Sequence, residues 1–385
     1  MNHSSQGRIP FGRPAIVGNE MEYIAQAIRN GTIAGGGPFM RRCEEWLENA
    51  LAARRVLMTH SCTAALEMAA MLADVGPGDE VIMPSFTFSA TATAFVLRGA
   101  TPVFVDIDPA TLNIDPALIE PAITERSKVV VPVHYAGLGC DMDPILDTAR
   151  RKSLIVVEDA AQAHLSSYRG KPLGTLGDLG CLSFHETKNV ISGEGGALII
   201  NNEALIERAE IIREKGTDRS RFFRGQVDKY TWQDIGSSYC PGEIVSAFLM
   251  AQLECADGIC KRRREIYDMY RDLLAPLSMS GDIEIPSATG TDVNGHIFWI
   301  LLESETVRSD LIQHLNRNDI NAVFHYVPLH SAPAGRKYGR ASGALSVTDD
   351  ISSRLLRLPL YYKLSDREVH RVIDVIARFF GPKNR

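Results

Sequence analysis

Between residues 50 and 200 the chain alternates short β-rich runs with helical patterns, and two of the runs, VVVPV (129–133) and LIVVED (154–159), are nearly all apolar. A strand that is apolar throughout has no face to offer water, so it belongs inside a sheet covered on both sides. EVIM (80–83) and TPVFVD (101–106) read as further strands, with SATATAFVLRGA as the helix between them. DMDPILDTARRKS reads as the crossover helix between the two apolar strands, and SCTAALEMAAML (61–72) as a helix of strong formers behind a Ser/Thr start. Such strand–helix–strand alternation implies an α/β fold with a mainly parallel central sheet and right-handed crossovers.

The organisation changes further on. NEALIERAEIIREKG (202–216) is an amphipathic helix ending at Gly216, and 219–242 is a long loop rich in charge, glycine and aromatics. Residues 243–277 carry long helical patterning. Beyond 283, IEIPS, HIFWILLE and AVFHYVPL read as strands, with helices at 308–317 and 366–380, giving a small α+β unit. The division expected is a large domain with its N-terminal segment at 1–245, then a linking helix and small C-terminal domain at 246–385. A chain of 385 residues is long enough for both.

Charge and cysteine content narrow the partners. A formal charge of −6 and a pI near 6.0 give no global sign of a nucleic-acid or membrane-surface binder. The seven cysteines form no CxxC pair and no His/Cys cluster of metal-binding spacing, so no metal is expected. The start MNHSSQGRIPFGRP lacks an apolar core, and no apolar stretch approaches a membrane span, so a soluble protein of the reducing cytoplasm is expected.

In a parallel α/β sheet, ligands gather where strands end and loops begin. After EVIM comes an aromatic-rich loop ending at Phe88; after VVVPV come His134 and Tyr135; after LIVVE come Asp159 and Gln162; after CLSF (181–184) come His185 and Lys188. Asp159 ends an apolar strand, where an acid needs a partner. It reads either as the N-cap of a helix starting AAQAH or as an anion facing a cationic heterocycle. Ser61, Cys62 and Thr63 open a helix, which is plain capping or an anion site, and Ser183 would add a hydroxyl to the same anion. Phe88 is either core or a platform for a flat ring. Lys188 is either a solvated loop lysine or a nucleophile in a Gly-rich turn. A cofactor with a phosphate, a flat cationic ring and an aldehyde would use all of these residues at once, and that describes pyridoxal 5′-phosphate (PLP).

The stretches SCTAALEMAA, GDEVIMPSFTFSATATAFVLRGA, VPVHYAG, VVEDAAQA, SFHETKNVISGEGGALIIN and FHYVPLH resemble, in order and spacing, the DegT/DnrJ/EryC1/StrS sugar aminotransferases, which are PLP-dependent and of fold type I. The stretch FFRGQVDKYTWQDIGSSY is similar to the branch that aminates dTDP-4-keto-6-deoxy-D-glucose to dTDP-4-amino-4,6-dideoxy-D-galactose for bacterial surface polysaccharides. The resemblance implies that Lys188 is the Schiff-base lysine, that Asp159 pairs with the ring nitrogen, and that Gln162 lies near the phenolic oxygen. By the same resemblance Phe88 stacks on the ring, and Cys62, Thr63 and Ser183 bind the phosphate. His325, Tyr326 and His330 fall in a motif near the substrate entrance.

The resemblance also implies L-glutamate as donor, a dTDP-keto-sugar as acceptor, and a homodimer with its active site at the subunit interface. One departure is visible. Where many members have a GYNYR-like stretch, with an Asn that reaches the neighbour's phosphate, this chain has GSSYC, with Ser238 at the Asn position and Cys240 at the Arg position. The basic stretch REKGTDRSRFFRGQVDK (213–229) offers cations for a diphosphate, with Lys215 and Arg219 as candidates. Two rivals are a dehydratase on the same fold, whose lysine position holds histidine, and a non-catalytic relative that loses the lysine or the acid. Lys188 and Asp159 argue against both.

Overall fold

A computed structural model describes residues 7–287 and 291–381; the polar start MNHSSQ lies outside them. An eight-stranded sheet forms the centre, in the order Arg55–Thr59, Gly196–Ile200, Leu179–Ser183, Ile155–Asp159, Ser127–Val130, Glu80–Pro84, Thr101–Val105 and Arg340–Ala341. All pairings are parallel except those of Gly196–Ile200, which runs antiparallel to both neighbours. Alternate residues of one strand enter different cores. Val130 and Val156 join the cluster under helices Pro38–Leu51, Met142–Lys152 and Glu243–Glu254, whereas Val129, Val131 and Val157 join the cluster under helix Cys62–Leu72. The apolar runs are therefore strands covered on both faces.

A third core packs helices Ala256–Met279, Glu305–Arg317 and Asp366–Phe380 onto a two-stranded antiparallel sheet, Phe298–Leu301 with Leu355–Leu358. A fourth, smaller cluster joins this region to the central sheet: Phe86 and Tyr135 from loops at its edge meet Ile297, Trp299 and Leu355. That junction roofs the carboxyl ends of the parallel strands.

The structure departs from the sequence pattern in several places. The fourth strand of the chain ends at Val130, because Pro132 has no N–H for the ladder, and Val133 keeps only an isolated bridge to Asp159. The helical stretch 243–277 is two helices meeting at Cys255. IEIPS and AVFHYVPL are not strands; each contributes one bridge, Glu284 to Leu301 and Val323 to Arg357. The loop after Gly216 opens with a short helix, Arg219–Phe223. Further elements are helices Glu20–Arg29, Ser89–Val96, Ile206–Arg213, Pro333–Tyr338 and Ser346–Arg354 and a small three-stranded sheet in the order Thr291–Asp292, Ser167–Tyr168 and Lys171–Pro172. No described helix is long and apolar enough to cross a membrane.

Candidate active site

A cavity of about 850 Å³ opens at the carboxyl edge of the central sheet. Lys188 lies on the connection between strands Leu179–Ser183 and Gly196–Ile200, which backbone bonds fold into a tight hairpin: Phe184 N–H to Gly195 O at 2.8 Å, Glu186 N–H to Gly193 O at 2.8 Å, and Ser192 N–H to Phe184 O at 2.7 Å. The glycines of GEGG have separate reasons. Gly193 takes φ +82°, which favours glycine, and a Cβ on Gly196 would sit 2.4 Å from the Ser61 backbone. The absent side chain thus lets the strand pass against the start of helix Cys62–Leu72.

That helix start is an anion cradle in the cavity wall. Ser61 caps it by accepting the Ala64 N–H at 3.1 Å, while the N–H groups of Cys62 and Thr63 have no partner among the described residues. Ser183 lies beside them in the same wall. Burial pushes the Cys62 thiol well above its ordinary range, so it stays protonated.

Asp159 is buried at the end of its strand, and no helix follows it; residues 160–165 turn instead. The capping reading fails, and its carboxylate is held otherwise. Thr91 Oγ donates to Oδ2 at 2.7 Å, and the Ala161 N–H donates to Oδ1 at 3.1 Å. Thr87 bonds Thr91 in turn at 2.9 Å, so a threonine relay fixes the acid. No cation pairs with Asp159 within 4.0 Å among the described residues, which leaves a buried anion facing the cavity. Across it, Lys188 has its pKa lowered, first by burial and further by the Arg357 charge, against the opposing pull of Asp159. An amine so placed reaches its neutral, nucleophilic form more readily than a surface lysine.

Phe88 is 60% exposed and lines the cavity, so it is not a core side chain. Gln162 Oε1 accepts from Ala136 N–H at 2.6 Å, and Nε2 donates to the Tyr326 hydroxyl at 2.9 Å. His325 bonds the Tyr135 hydroxyl at 3.0 Å, and burial holds its pKa far below the histidine range, so the ring is neutral. Burial likewise raises both tyrosines.

Other expected residues lie elsewhere. His330 does not line the cavity; Ser85 Oγ at 2.7 Å and Asp349 at 3.3 Å hold it in the wall behind. Lys215, Arg219 and Ser238 also fall outside the chain's own cavity. Arg219 pairs with Glu214 at 3.7 Å and stacks on Phe223, and three neighbouring arginines have acid partners: Arg213 with Glu44, Arg221 with Glu207 and Arg224 with Glu210. The basic stretch is therefore largely neutralised within the chain. Ser238 is exposed, pairing only its backbone with Glu214. His134 is wholly buried: its Nδ1 accepts the Cys140 N–H, so Nε2 donates to Glu158 at 2.9 Å. Its role is structural.

Thr91, Arg263, His296, Arg357 and the segment Phe11–Pro14 also line the cavity and are not among the residues expected from the sequence. Arg357 alone left a trace, as the one charge inside the apolar run LLRLPL.

These residues fit PLP by their donor set. The helix start offers unpaired N–H groups to a phosphate, Asp159 is an unpaired buried anion for a ring N–H⁺, Phe88 offers an aromatic face, and Lys188 forms no ion pair or side-chain hydrogen bond among the described residues.

The comparisons agree. The DegT/DnrJ/EryC1/StrS aminotransferase family model matches residues 14–377. GDP-perosamine synthase of Caulobacter vibrioides is 34% identical over 96% of this chain and 97% of its own length. UDP-4-amino-4-deoxy-L-arabinose–oxoglutarate aminotransferase of Shewanella sediminis is 33% identical over 97% of this chain and 99% of its own. Among solved structures, Spr1654 of Streptococcus pneumoniae in its PLP form superposes with a TM-score of 0.88 at 28% identity, over 97% of this chain and 98% of that one. The chain belongs to the DegT/DnrJ/EryC1/StrS aminotransferase family, whose enzymes depend on PLP.

Proposed function

We propose that this enzyme moves the amino group of L-glutamate to C4 of dTDP-4-keto-6-deoxy-D-glucose, forming dTDP-4-amino-4,6-dideoxy-D-galactose, as a cytoplasmic homodimer with its active site at the subunit boundary. The observation that carries this reading is the convergence of Lys188, Asp159, Phe88 and an open helix start on one cavity. The stretch FFRGQVDKYTWQDIGSSY supports the sugar, and the oxoglutarate in one relative's name supports glutamate as its aminated counterpart. Seven free cysteines support a reducing compartment. Exposed Ser238, Phe223 and Trp232 on one stretch support a second subunit there.

When bound, PLP supplies a carbonyl carbon that carries the amino group and a protonated ring that delocalises electrons from the reacting carbon. The Cys62 and Thr63 N–H groups, with Ser183 Oγ, hold its phosphate, and Phe88 covers its face. Asp159 keeps a proton on the ring nitrogen by charge attraction in a buried place. Gln162, tied to Ala136 and Tyr326, walls the ring's other edge. Lys188 Nζ would hold the aldehyde carbon, and as a free amine it would take a proton from the donor's α-carbon and deliver one in the opposite half-reaction. His325 and Tyr326, both neutral, border the sugar, with His330 fixing the loop behind them. Lys215 and Arg219 face the diphosphate from across the boundary, Arg219 exchanging Glu214 for phosphate oxygens.

Incubation with the dTDP-4-keto sugar and L-glutamate, followed by NMR of the product, tests this. The galacto-configured amine is expected. A gluco-configured amine overturns the stereochemistry, and turnover only with GDP- or UDP-linked 4-keto sugars moves the substrate to the classes named for the relatives.

A further inference from the structure

The cavity contains a guanidinium that the roles above leave without work. Arg357 lies on strand Leu355–Leu358, between Leu356 and Leu358, both buried. Its Nη2 donates to Phe324 O at 3.0 Å, and its plane lies over the Phe11 ring at 4.8 Å. Its Nε is buried without a hydrogen-bond partner, and no carboxylate lies within 4.0 Å of the group among the described residues. The other guanidinium in the buried wall is differently engaged: Arg263 donates to Gly295 O at 3.1 Å and His296 O at 2.8 Å. Arg13 is exposed at the mouth, 5.6 Å over Tyr361.

A largely desolvated guanidinium with no anion is costly, and here it adds to the positive charge of Lys188 in one cavity. Arg357 and Lys188 are close enough for the one charge to act on the other. An amino-acid donor presents its amine where Lys188 works, and its α-carboxylate is one carbon away. A sugar nucleotide aminated at C4 presents its diphosphate across the ring, at the anomeric carbon. A cation that shares the cavity with the lysine and acts on its charge therefore suits the donor's carboxylate, which a guanidinium fork grips with two parallel bonds. We propose that Arg357 is the seat of the donor's α-carboxylate, so that this one strand residue makes the site select amino acids over plain amines.

The inference rests on the aminotransferase reading, and one experiment separates the two. Holoenzyme is mixed with L-glutamate or with 4-aminobutyrate, which is glutamate without its α-carboxylate, and loss of the cofactor's visible band is followed. In wild type, glutamate is strongly preferred. Arg357→Gln is expected to lower the glutamate rate per unit concentration by roughly 30-fold or more, to leave 4-aminobutyrate little changed, and so to collapse the preference. Arg357→Lys recovers part of it. The affinity of 2-oxoglutarate for enzyme loaded with pyridoxamine phosphate, measured by calorimetry, falls in parallel. The reaction of that loaded form with the keto-sugar nucleotide keeps its rate, which also shows that the variant is folded. A variant with unmoved donor preference, or one slowed with the sugar nucleotide and not with glutamate, overturns the seat alone. A wild-type band that glutamate leaves untouched overturns the transaminase reading and the seat with it.

Discussion

At the scale of single residues, the proposed chemistry rests on Lys188, and the surroundings of that lysine do not depend on it. The helix start and Asp159 with its threonine relay are held by other bonds, and the Phe88 carbonyl accepts the Thr91 N–H at 3.2 Å. Removing the amine should therefore leave a site that still binds cofactor. Lys188→Ala is expected to retain PLP through dialysis, read by absorbance, while single-turnover transamination with L-glutamate falls by at least about 10³-fold, within the range that a positioned acid–base group supplies. Activity within tenfold of wild type would falsify the assignment. The same residue shows why the lysine was legible in sequence: it follows a strand in a glycine-marked turn, and strand ends are where such a sheet collects its ligands. Arg357 was not legible in that way. Its place depends on a C-terminal strand folding back over the sheet edge, and one arginine in an apolar run does not announce what it will face.

At the scale of elements, the edge of the central sheet is closed by two residues, Arg340–Ala341, paired with Val103 and Phe104. So short a strand has little ladder of its own, and a side chain fastens it. Arg340 reaches the buried Glu80 through two bonds of 3.1 and 2.8 Å, and Arg126 and Thr124 complete the carboxylate's partners. The Arg340 bonds are the foremost cause of a Glu80 pKa below the usual 4.5. A depressed carboxylate pKa gives stability that is present above the unfolded value and lost as pH falls through the folded one. Arg340→Met should cost about 1.5–3 kcal/mol at neutral pH by chemical denaturation. The deficit relative to wild type should shrink below pH 4.5, as Glu80 is protonated in both proteins. A deficit unchanged between pH 7 and pH 3 would show that the clip is not electrostatic. No sequence pattern announces a two-residue strand, whereas VVVPV and LIVVED declare themselves because burial on both faces leaves them almost no polar residue. IEIPS and AVFHYVPL fail for the converse reason: each looks like a strand but finds a neighbour for a single bridge.

At the scale of the whole molecule, the site is assembled where the roof meets the sheet, so catalysis depends on how the two are joined. Asn189, next to Lys188, makes the join. Its Nδ2 donates to Asn294 O at 2.9 Å and its Oδ1 meets His296 Nδ1 at 3.0 Å. Asn294 in turn donates to the carbonyls of Gln162 and His164, both at 2.9 Å, and Arg263 ties 295–296 to helix Ala256–Met279. The lysine loop, the turn after Asp159 and the linking helix thus share one buried knot, and burial keeps the His296 ring in it neutral. Asn189→Ala leaves the Asn294 carbonyl and the His296 ring without these bonds, at a cost of about 1–3 kcal/mol by chemical denaturation. It also frees the loop that aims the amine, and small misplacements are expensive in rate, up to about 100-fold. The pattern of the loss is the discriminating measurement. If the same Nζ moves the proton in both half-reactions, as proposed, Asn189→Ala should slow the glutamate half and the keto-sugar half by a common factor, with half-saturating concentrations nearly unchanged. Loss confined to one half would place the damage in a substrate pocket, and unchanged rates in a destabilised protein would reduce the knot to a structural role.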